Sequence, residues 1–161
     1  MQYFLVIATL SIMIAISSYT QSQSGNIHFS GTRWVCAEEK SGFIRKSYDQ
    51  YQRIIQTHTL FFTSDTMVSQ YYSGTLIHKN GLEENFELVY TASYQTHGQA
   101  LKINVKSIDW NEKPERSPMF IKYINALKNQ SIDTNYYAQD GYLYLYNNSQ
   151  SEDSNLVCYA T

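Results

Sequence analysis

Two short stretches, GTRWVC at residues 31–36 and LVCY at residues 156–159, set the architecture expected of this chain. Each is apolar and suited to a β-strand, and each holds one of the chain's two cysteines, Cys36 and Cys158. The two-residue period of a strand places Trp34 and Cys36 on one face. We therefore expect the first and last strands of a β-rich domain to lie side by side, joined by a disulfide.

The state of the cysteines depends on the compartment. Residues 1–30 contain no acidic residue, lysine or arginine, and residues 4–16 are apolar except for Thr9 and Ser11. As a helix this run would be about 20 Å long, which is short of the roughly 30 Å hydrocarbon core of a bilayer. We interpret residues 1–17 as a signal peptide, with an uncleaved membrane anchor as the alternative.

Export favours a disulfide, because two cysteines in an oxidising compartment usually pair. The loop closed between Cys36 and Cys158 would span nearly the whole mature domain. In the chain-entropy view such a bridge contributes somewhat more than about 4 kcal/mol. Two separate buried thiols are the alternative. We predict a periplasmic or secreted protein.

The composition is that of one globular domain. Hydrophobic residues make up 43% of the 161 residues, charged residues 16%, and the formal net charge is −2. The charges are interspersed, so that no basic stripe suggests nucleic acid. Residues 18–30, rich in Ser, Gln, Gly and Asn, are expected to form a flexible arm before a single β-rich domain at residues 31–161.

The domain is predicted to be mainly β, an antiparallel meander or small barrel of about eight strands with one helix near residues 117–129. The Asn-Gly pair at residues 80–81 is typical of a hairpin turn. Gly74 inside a strand pattern predicts a bulge, and the polar residues 109–117 predict a connection. The predicted strands are residues 32–37, 57–63, 67–77, 86–94, 101–106, 132–138 and 142–146, followed by the segment that holds Cys158.

The helix is predicted from its start signal and its apolar spacing. Ser117 can cap a helix, and Pro118 suits the first turn. Four apolar residues then follow at i, i+3, i+4 and i+7, forming a single stripe. They are Phe120, Tyr123, Ile124 and Leu127.

Several of these segments occur together in one known family. INAL at residues 124–127, DGYLYLY at residues 140–146, the opening at residues 31–34, LFF at residues 60–62 with Asp65, and Gly74 resemble the META domain. That family comprises small exported bacterial proteins linked to heat shock or motility. The resemblance implies a binding or envelope-maintenance role, and the family offers no established catalytic residues.

A second resemblance competes with the first. An opening strand with glycine and tryptophan, an antiparallel meander and an end-to-end disulfide are similar to lipocalin-type barrels. This resemblance implies a carrier of a small apolar ligand inside the barrel.

No catalytic spacing is present in the sequence. It lacks Gly-x-Ser-x-Gly, His-Glu-x-x-His, Cys-x-x-Cys and a phosphate-binding glycine loop. His58, His78 and His97 could together suit zinc, but we expect exposed strand or turn histidines. The acidic pairs at residues 38–39 and 83–84 are expected to flank turns. We predict no enzyme, no metal and no cofactor.

The best candidate for binding is aromatic. Tyr142, Tyr144 and Tyr146 share one face of a predicted strand, and Leu143 and Leu145 share the other. If the leucines face the core, the tyrosines form an exposed ladder for a sugar or an envelope protein. If the tyrosines face inward, they line a ligand pocket. Cross-strand packing alone is the third possibility.

We therefore predict a monomeric, exported, non-catalytic domain with a binding or envelope-maintenance role. The alternative is a lipocalin-like carrier of a small apolar ligand in a cavity lined by tyrosines. The expected partner is a small apolar ligand, a sugar or an envelope protein, and we expect neither nucleic acid binding nor an integral membrane span.

Overall fold

The computed structural model describes residues 27–43, 48–147 and 155–161, and within them eight strands form a closed antiparallel barrel. Each strand pairs with the next along the chain, and the last pairs with the first. The predicted fold class is confirmed. The strands are β1 (Arg33–Ser41), β2 (Tyr51–Phe62), β3 (Met67–His78), β4 (Glu83–His97), β5 (Ala100–Glu112), β6 (Ser131–Gln139), β7 (Tyr142–Tyr146) and β8 (Leu156–Ala160), and the helix α1 (Pro118–Ala126) lies between β5 and β6.

Alternation of side chains defines the inside of the barrel. Along β4 the buried residues are Phe86, Leu88, Tyr90, Ala92 and Tyr94, at every second position. The residues between them face outward, as the two-residue period of a strand requires. The inside of the barrel is therefore set by the same pattern that predicts the strand from sequence.

The barrel closes where β1 meets β8. Only two residue pairs join these strands in the ladder, Trp34 with Ala160 and Val35 with Tyr159, whereas β1 and β2 share nine pairs. The disulfide between Cys36 and Cys158 continues the short ladder and links positions 122 residues apart. Both cysteines are fully buried. The predicted disulfide is confirmed.

One end of the barrel is filled by aromatic rings. Phe29 is buried, and its ring stacks on Phe62 at 4.4 Å and meets the edge of Tyr136 at 5.0 Å. The arm predicted at residues 18–30 is therefore wrong for its last residues, because Phe29 fills the apolar interior there. The rest of that arm and the predicted signal peptide at residues 1–17 lie outside the described residues.

The other end is covered by α1. Strands β2 to β5 have 12 to 15 residues, whereas β7 and β8 have five each, so the long strands extend beyond the short ones. The helix packs against this extension, with Phe120 and Ile124 buried. The Phe120 ring lies 4.9 Å from that of Phe86, and Trp110 Nε1 donates to Asn125 Oδ1 at 2.9 Å. The predicted stripe thus faces the barrel, although Tyr123 is 39% exposed.

Two predictions about strand shape are wrong. The ladder runs through Gly74 to both neighbouring strands without a bulge. The glycine is required by crowding, since a Cβ there would lie 2.2 Å from the carbonyl oxygen of Ile55 and 2.9 Å from the ring of Phe86. Polar residues 109–112 continue β5 rather than connecting it to α1, because they pair with β4.

Candidate functional site: a cavity inside the barrel

A cavity of about 240 Å³ lies inside the barrel between the aromatic end and α1. Its walls are mainly apolar side chains that point inward from β2 to β5, such as Leu60, Val68 and Ala92. The helix contributes Phe120 and Ile124 from its buried face. The cavity is therefore a product of strand alternation and of the helix that covers it.

Aromatic rings border the cavity beside α1. The ring of Tyr48, just before β2, stacks on Phe43 at 5.5 Å. It also meets the edge of Tyr123 on α1 at 5.8 Å. All three side chains line the cavity. They connect the helix to the segments that flank the start of β2.

His58 is the most unusual polar group in the wall of the cavity. It faces inward from β2, and its ring stacks on Tyr72 of β3 with centroids 4.3 Å apart. Its Nδ1 lies 2.7 Å from the amide nitrogen of Gln70, which donates to it. We assign the ring proton to Nε2, because an amide nitrogen can only donate and a neutral imidazole has one donor and one acceptor nitrogen.

The Nε2 atom of His58 has no hydrogen-bond partner in the part of the chain that the structure describes. Among the described residues it is the one buried side-chain nitrogen or oxygen left in this state. Buried polar groups are nearly always hydrogen-bonded, because leaving one unpaired costs about 1–3 kcal/mol. An unpaired donor in the wall of an apolar cavity is the arrangement expected where a bound molecule supplies the acceptor.

The imidazole of His58 is held neutral. Burial, with a smaller contribution from the ammonium group of Lys40, lowers the pKa of His58 to about 3. The ring is therefore uncharged at neutral pH and offers a donor without a charge.

The remaining polar groups near His58 satisfy one another. The Tyr72 hydroxyl donates to Gln56 Oε1 at 2.7 Å, and Gln56 Nε2 donates to Glu38 Oε2 at 2.7 Å. Lys40 Nζ lies 3.3 Å from the other oxygen of Glu38. Burial raises the pKa of Tyr72 well above its usual value, so the phenol stays protonated. The charges of Glu38 and Lys40 thus compensate each other beside a neutral wall.

The three tyrosines predicted as ligand-binding residues lie outside the cavity. Leu143 and Leu145 face the core, and Tyr142 and Tyr144 point outward, 48% and 39% exposed. Tyr146 shares their face and is partly buried. The cavity is lined by other tyrosines, Tyr48, Tyr72, Tyr90 and Tyr123. A binding role for Tyr142, Tyr144 and Tyr146 stays a prediction, and it concerns the outer surface of the barrel.

These outward tyrosines are part of a larger exposed patch. In the strand register Tyr144 lies between Tyr137 of β6 and Val157 of β8, and Tyr142 lies opposite Tyr159 of β8. Val157 and Tyr159 are 55% and 48% exposed. One row of apolar and aromatic side chains therefore crosses the outside of β6, β7 and β8, and a second, Tyr142 with Tyr159, spans β7 and β8 beside Gln139 of β6.

A buried polar cluster fixes the start of α1. His78 Nε2 lies 2.6 Å from Glu84 Oε2, and the Ser117 hydroxyl donates to the same oxygen at 2.6 Å. The backbone N–H of Arg116 donates to Glu84 Oε1 at 2.6 Å. Burial alone would raise the pKa of Glu84, but the hydrogen bonds from Ser117, Arg116 and His78 together lower it.

This cluster corrects two expectations. Glu84 does not flank a turn as a solvated charge, and His78 is buried rather than exposed. The Ser117 hydroxyl donates its proton to the Glu84 carboxylate at 2.6 Å. Its oxygen lies farther from His78 Nε2, at 3.4 Å. The arrangement anchors α1 to β4 and does not present an activated nucleophile.

The histidines do not converge on a metal. His58 lies in the cavity wall, His78 binds Glu84, and His97 is exposed at the end of β4. His58 is also buried, contrary to the expectation of an exposed histidine. Within the part of the chain that the structure describes, no three His, Cys, Asp or Glu side chains are placed to hold a metal ion.

No family model matches the chain, and no curated protein is similar enough to match it. Among the described helical residues, none belongs to a helix long and apolar enough to cross a bilayer.

Proposed function

We propose that this chain is an exported, non-catalytic carrier that binds one small, largely apolar molecule inside its barrel. The observation that carries the proposal is the apolar cavity of about 240 Å³, with the unpaired donor of His58 in its wall. Small-molecule sites are typically concave and apolar with a few polar groups that fix orientation. The resemblance to lipocalin-type barrels supports the same function.

Export is part of the proposal. The disulfide between Cys36 and Cys158 supports it, since such bonds persist in oxidising compartments. The apolar N-terminal segment at residues 4–16 supports it independently.

The volume limits the size of the ligand. An engineered apolar cavity of about 150 Å³ binds benzene. The present cavity, at about 240 Å³, has room for a substituted ring or for two fused rings. Long-chain lipids are too large for this volume, so we propose a compact ligand.

The test compares one large side chain placed inside the barrel with the same side chain placed outside. Ala92 faces the cavity, and its neighbour Thr91 faces outward on the same strand. Ala92→Phe fills the cavity, whereas Thr91→Phe leaves it unchanged. Binding of naphthalene is measured by protein-detected NMR or by its fluorescence, in the wild type and in both variants.

We expect naphthalene to bind the wild type and Thr91→Phe equally, and Ala92→Phe at least about tenfold more weakly, because the added ring occupies the site. Equal binding by all three proteins, or binding by none, would contradict the proposal. Native mass spectrometry of the protein from its secreting host should also show one co-purified small molecule.

The exposed tyrosine patch favours a second candidate function, recognition of a sugar or of an envelope protein. Tyrosine rings at a surface supply stacking area together with a hydroxyl for hydrogen bonding. The test replaces Tyr142, Tyr144 and Tyr146 together by serine. Binding of a sugar or protein partner should weaken, while naphthalene binding inside the barrel should be unchanged. Unchanged affinity for such a partner would refute this second function.

A further inference from the structure

The chemistry of the cavity wall narrows the class of ligand. Around His58 the polar side chains form two hydrogen-bonded sets, one of Glu38, Gln56 and Tyr72 and the other of Gln70 and His58. The first set is internally hydrogen-bonded. The second ends in the N–H of His58 Nε2, which has no partner among the described residues.

We infer that the ligand is uncharged and carries a hydrogen-bond acceptor, such as a ketone or aldehyde oxygen, that pairs with the Nε2–H of His58. The inference rests on the proposed function, because it concerns the same cavity. It adds the chemical group by which the ligand is recognised and the residue that recognises it.

The donor is fixed in place by its neighbours. The ring of His58 is stacked on Tyr72 at an interplanar angle of 10°, and Nδ1 is held by Gln70 at 2.7 Å. These two contacts set both the plane of the imidazole and its tautomer. A donor held in one direction selects the position of the acceptor on the ligand.

An uncharged acceptor fits better than an anion. The carboxylate of Glu38 and the ammonium of Lys40, 3.3 Å apart, leave no net charge beside the cavity. The imidazole supplies no positive charge at neutral pH. Lys40 lines the cavity, but its ammonium is already paired with Glu38. An anion would therefore lose its hydration and compete with the Glu38 carboxylate for that ammonium.

An acceptor also fits better than a purely apolar ligand. With a hydrocarbon bound, the N–H of His58 would stay unpaired in an even drier cavity. A site built to hydrogen-bond a ligand group discriminates strongly against the analogue that lacks it, since the protein's own donor is then left unpaired.

The experiment compares three probes of nearly the same shape, namely acetylnaphthalene, isopropenylnaphthalene and naphthoate. The first carries a neutral acceptor, the second replaces the oxygen by carbon, and the third carries a charge. Each is titrated by calorimetry at neutral pH into the wild type and into the double variant His58→Phe/Gln70→Leu. The phenyl ring keeps the stack on Tyr72, and the leucine removes the amide that would otherwise lose its acceptor.

We expect acetylnaphthalene to bind the variant at least about tenfold more weakly than the wild type, and isopropenylnaphthalene to change by less than about threefold. Naphthoate should bind the wild type at least about tenfold more weakly than acetylnaphthalene. If both neutral probes bind but respond equally to the variant, or if naphthoate binds best, the inference fails and the proposed function stands. If no probe binds the wild type, both fail.

A second measurement uses the wild type alone, so that it does not depend on folding of the variant. Nitrogen-detected NMR of the His58 imidazole reports the tautomer and the hydrogen bond at Nε2. Acetylnaphthalene should shift the Nε2 resonance, and isopropenylnaphthalene should leave it nearly unchanged. Equal shifts with both probes, or a proton located on Nδ1, would overturn the inference.

Discussion

Cys36 and Cys158 lie directly opposite each other, in the register that pairs Trp34 with Ala160 two positions away. Within the described residues only two ladder pairs join β1 to β8, so the disulfide supplies much of the connection at the closure of the barrel. The covalent bond thus joins the first and last strands where their ladder is short.

Replacing Cys36 and Cys158 together by alanine should lower the free energy of unfolding by roughly 4 kcal/mol, because the loop that the bond closes spans most of the domain. Urea denaturation followed by tryptophan fluorescence measures this. Val157→Ala, at an exposed position of the same strand, is the control and should change stability by less than about 1 kcal/mol. A loss below about 1 kcal/mol in the cysteine variant would show that the strands hold the closure unaided.

Gly74→Ala should destabilise the protein by about 2–3 kcal/mol or more, since the new Cβ would meet the backbone of Ile55 and the ring of Phe86. Ile55 pairs with Glu39 of β1 and with Thr75 of β3, so its backbone cannot shift without disturbing these ladders. Thermal denaturation measures the effect. Ser73→Ala, one position away and facing outward, should lower the melting temperature little. An unchanged melting temperature in Gly74→Ala would contradict the crowding argument.

Glu84→Gln should loosen α1, because an amide cannot accept all the hydrogen bonds that the carboxylate receives from Ser117, Arg116 and His78. We expect a stability loss of about 1–3 kcal/mol and faster hydrogen exchange in α1 than in β2 to β5. Glu83→Gln, at the exposed neighbouring position, is the matched control. Hydrogen exchange in α1 that stays at the wild-type rate would show that the cluster does not hold the helix.

The rate at which a bound probe dissociates gives a second test of the cluster of His78, Glu84 and Ser117. Since α1 covers the cavity, a loosened helix should let naphthalene dissociate faster, with a smaller change in the association rate. Stopped-flow fluorescence of wild type, Glu84→Gln and Glu83→Gln measures both rates. Identical dissociation from all three proteins would place the exit elsewhere.

Stability should fall as the pH is lowered from about 6.5 to about 3, because His58 stays neutral in the folded protein while the unfolded chain takes up a proton. The folded pKa is depressed, so the unfolded state binds more protons in this window and acid favours it. The slope attributable to His58 is at most about 1.4 kcal/mol per pH unit. Tyr72, which stacks on His58 from β3, stays protonated throughout this range, because burial raises its pKa well above the usual value.

The double variant His58→Phe/Gln70→Leu isolates this contribution, because other groups such as Glu84 titrate in both proteins. Urea denaturation at a series of pH values should give a shallower acid slope in the variant than in the wild type. Parallel slopes, or an NMR titration of His58 with a midpoint near 6.5, would contradict the assignment of a depressed pKa.

The strands and the helix could be predicted because their signals are local. Alternation marks β4 and β5, the Asn-Gly turn marks the hairpin before β4, and the apolar spacing marks α1. The start of β2 has no such local signal, since residues 47–56 suit either a helix or a strand. Burial against the barrel determines it, with Tyr51 and Ile54 inside.

The cavity could not be predicted in the same way, because it depends on how inward side chains from several strands fill a closed barrel. His58 and Glu84 look like ordinary strand and turn residues in sequence, and only the tertiary structure buries them. The even-numbered positions of β2, β3 and β4 do share one face, and this pattern would have placed His58 and Tyr72 inside. The choice between inward tyrosines and inward leucines in β7 needs the partner strands, which the sequence alone does not order.

Because Phe29 fills one end of the barrel and α1 covers the other, we expect the two ends to affect a bound ligand differently. We expect a solute to enter and leave past the helix, because among the described residues stacked rings fill the opposite end. Substitutions around Phe29 should change the free energy of unfolding without changing the rate of ligand association. Substitutions around α1 should mainly change the rates of ligand association and dissociation. Protein stability and ligand exchange can therefore be adjusted independently in this chain.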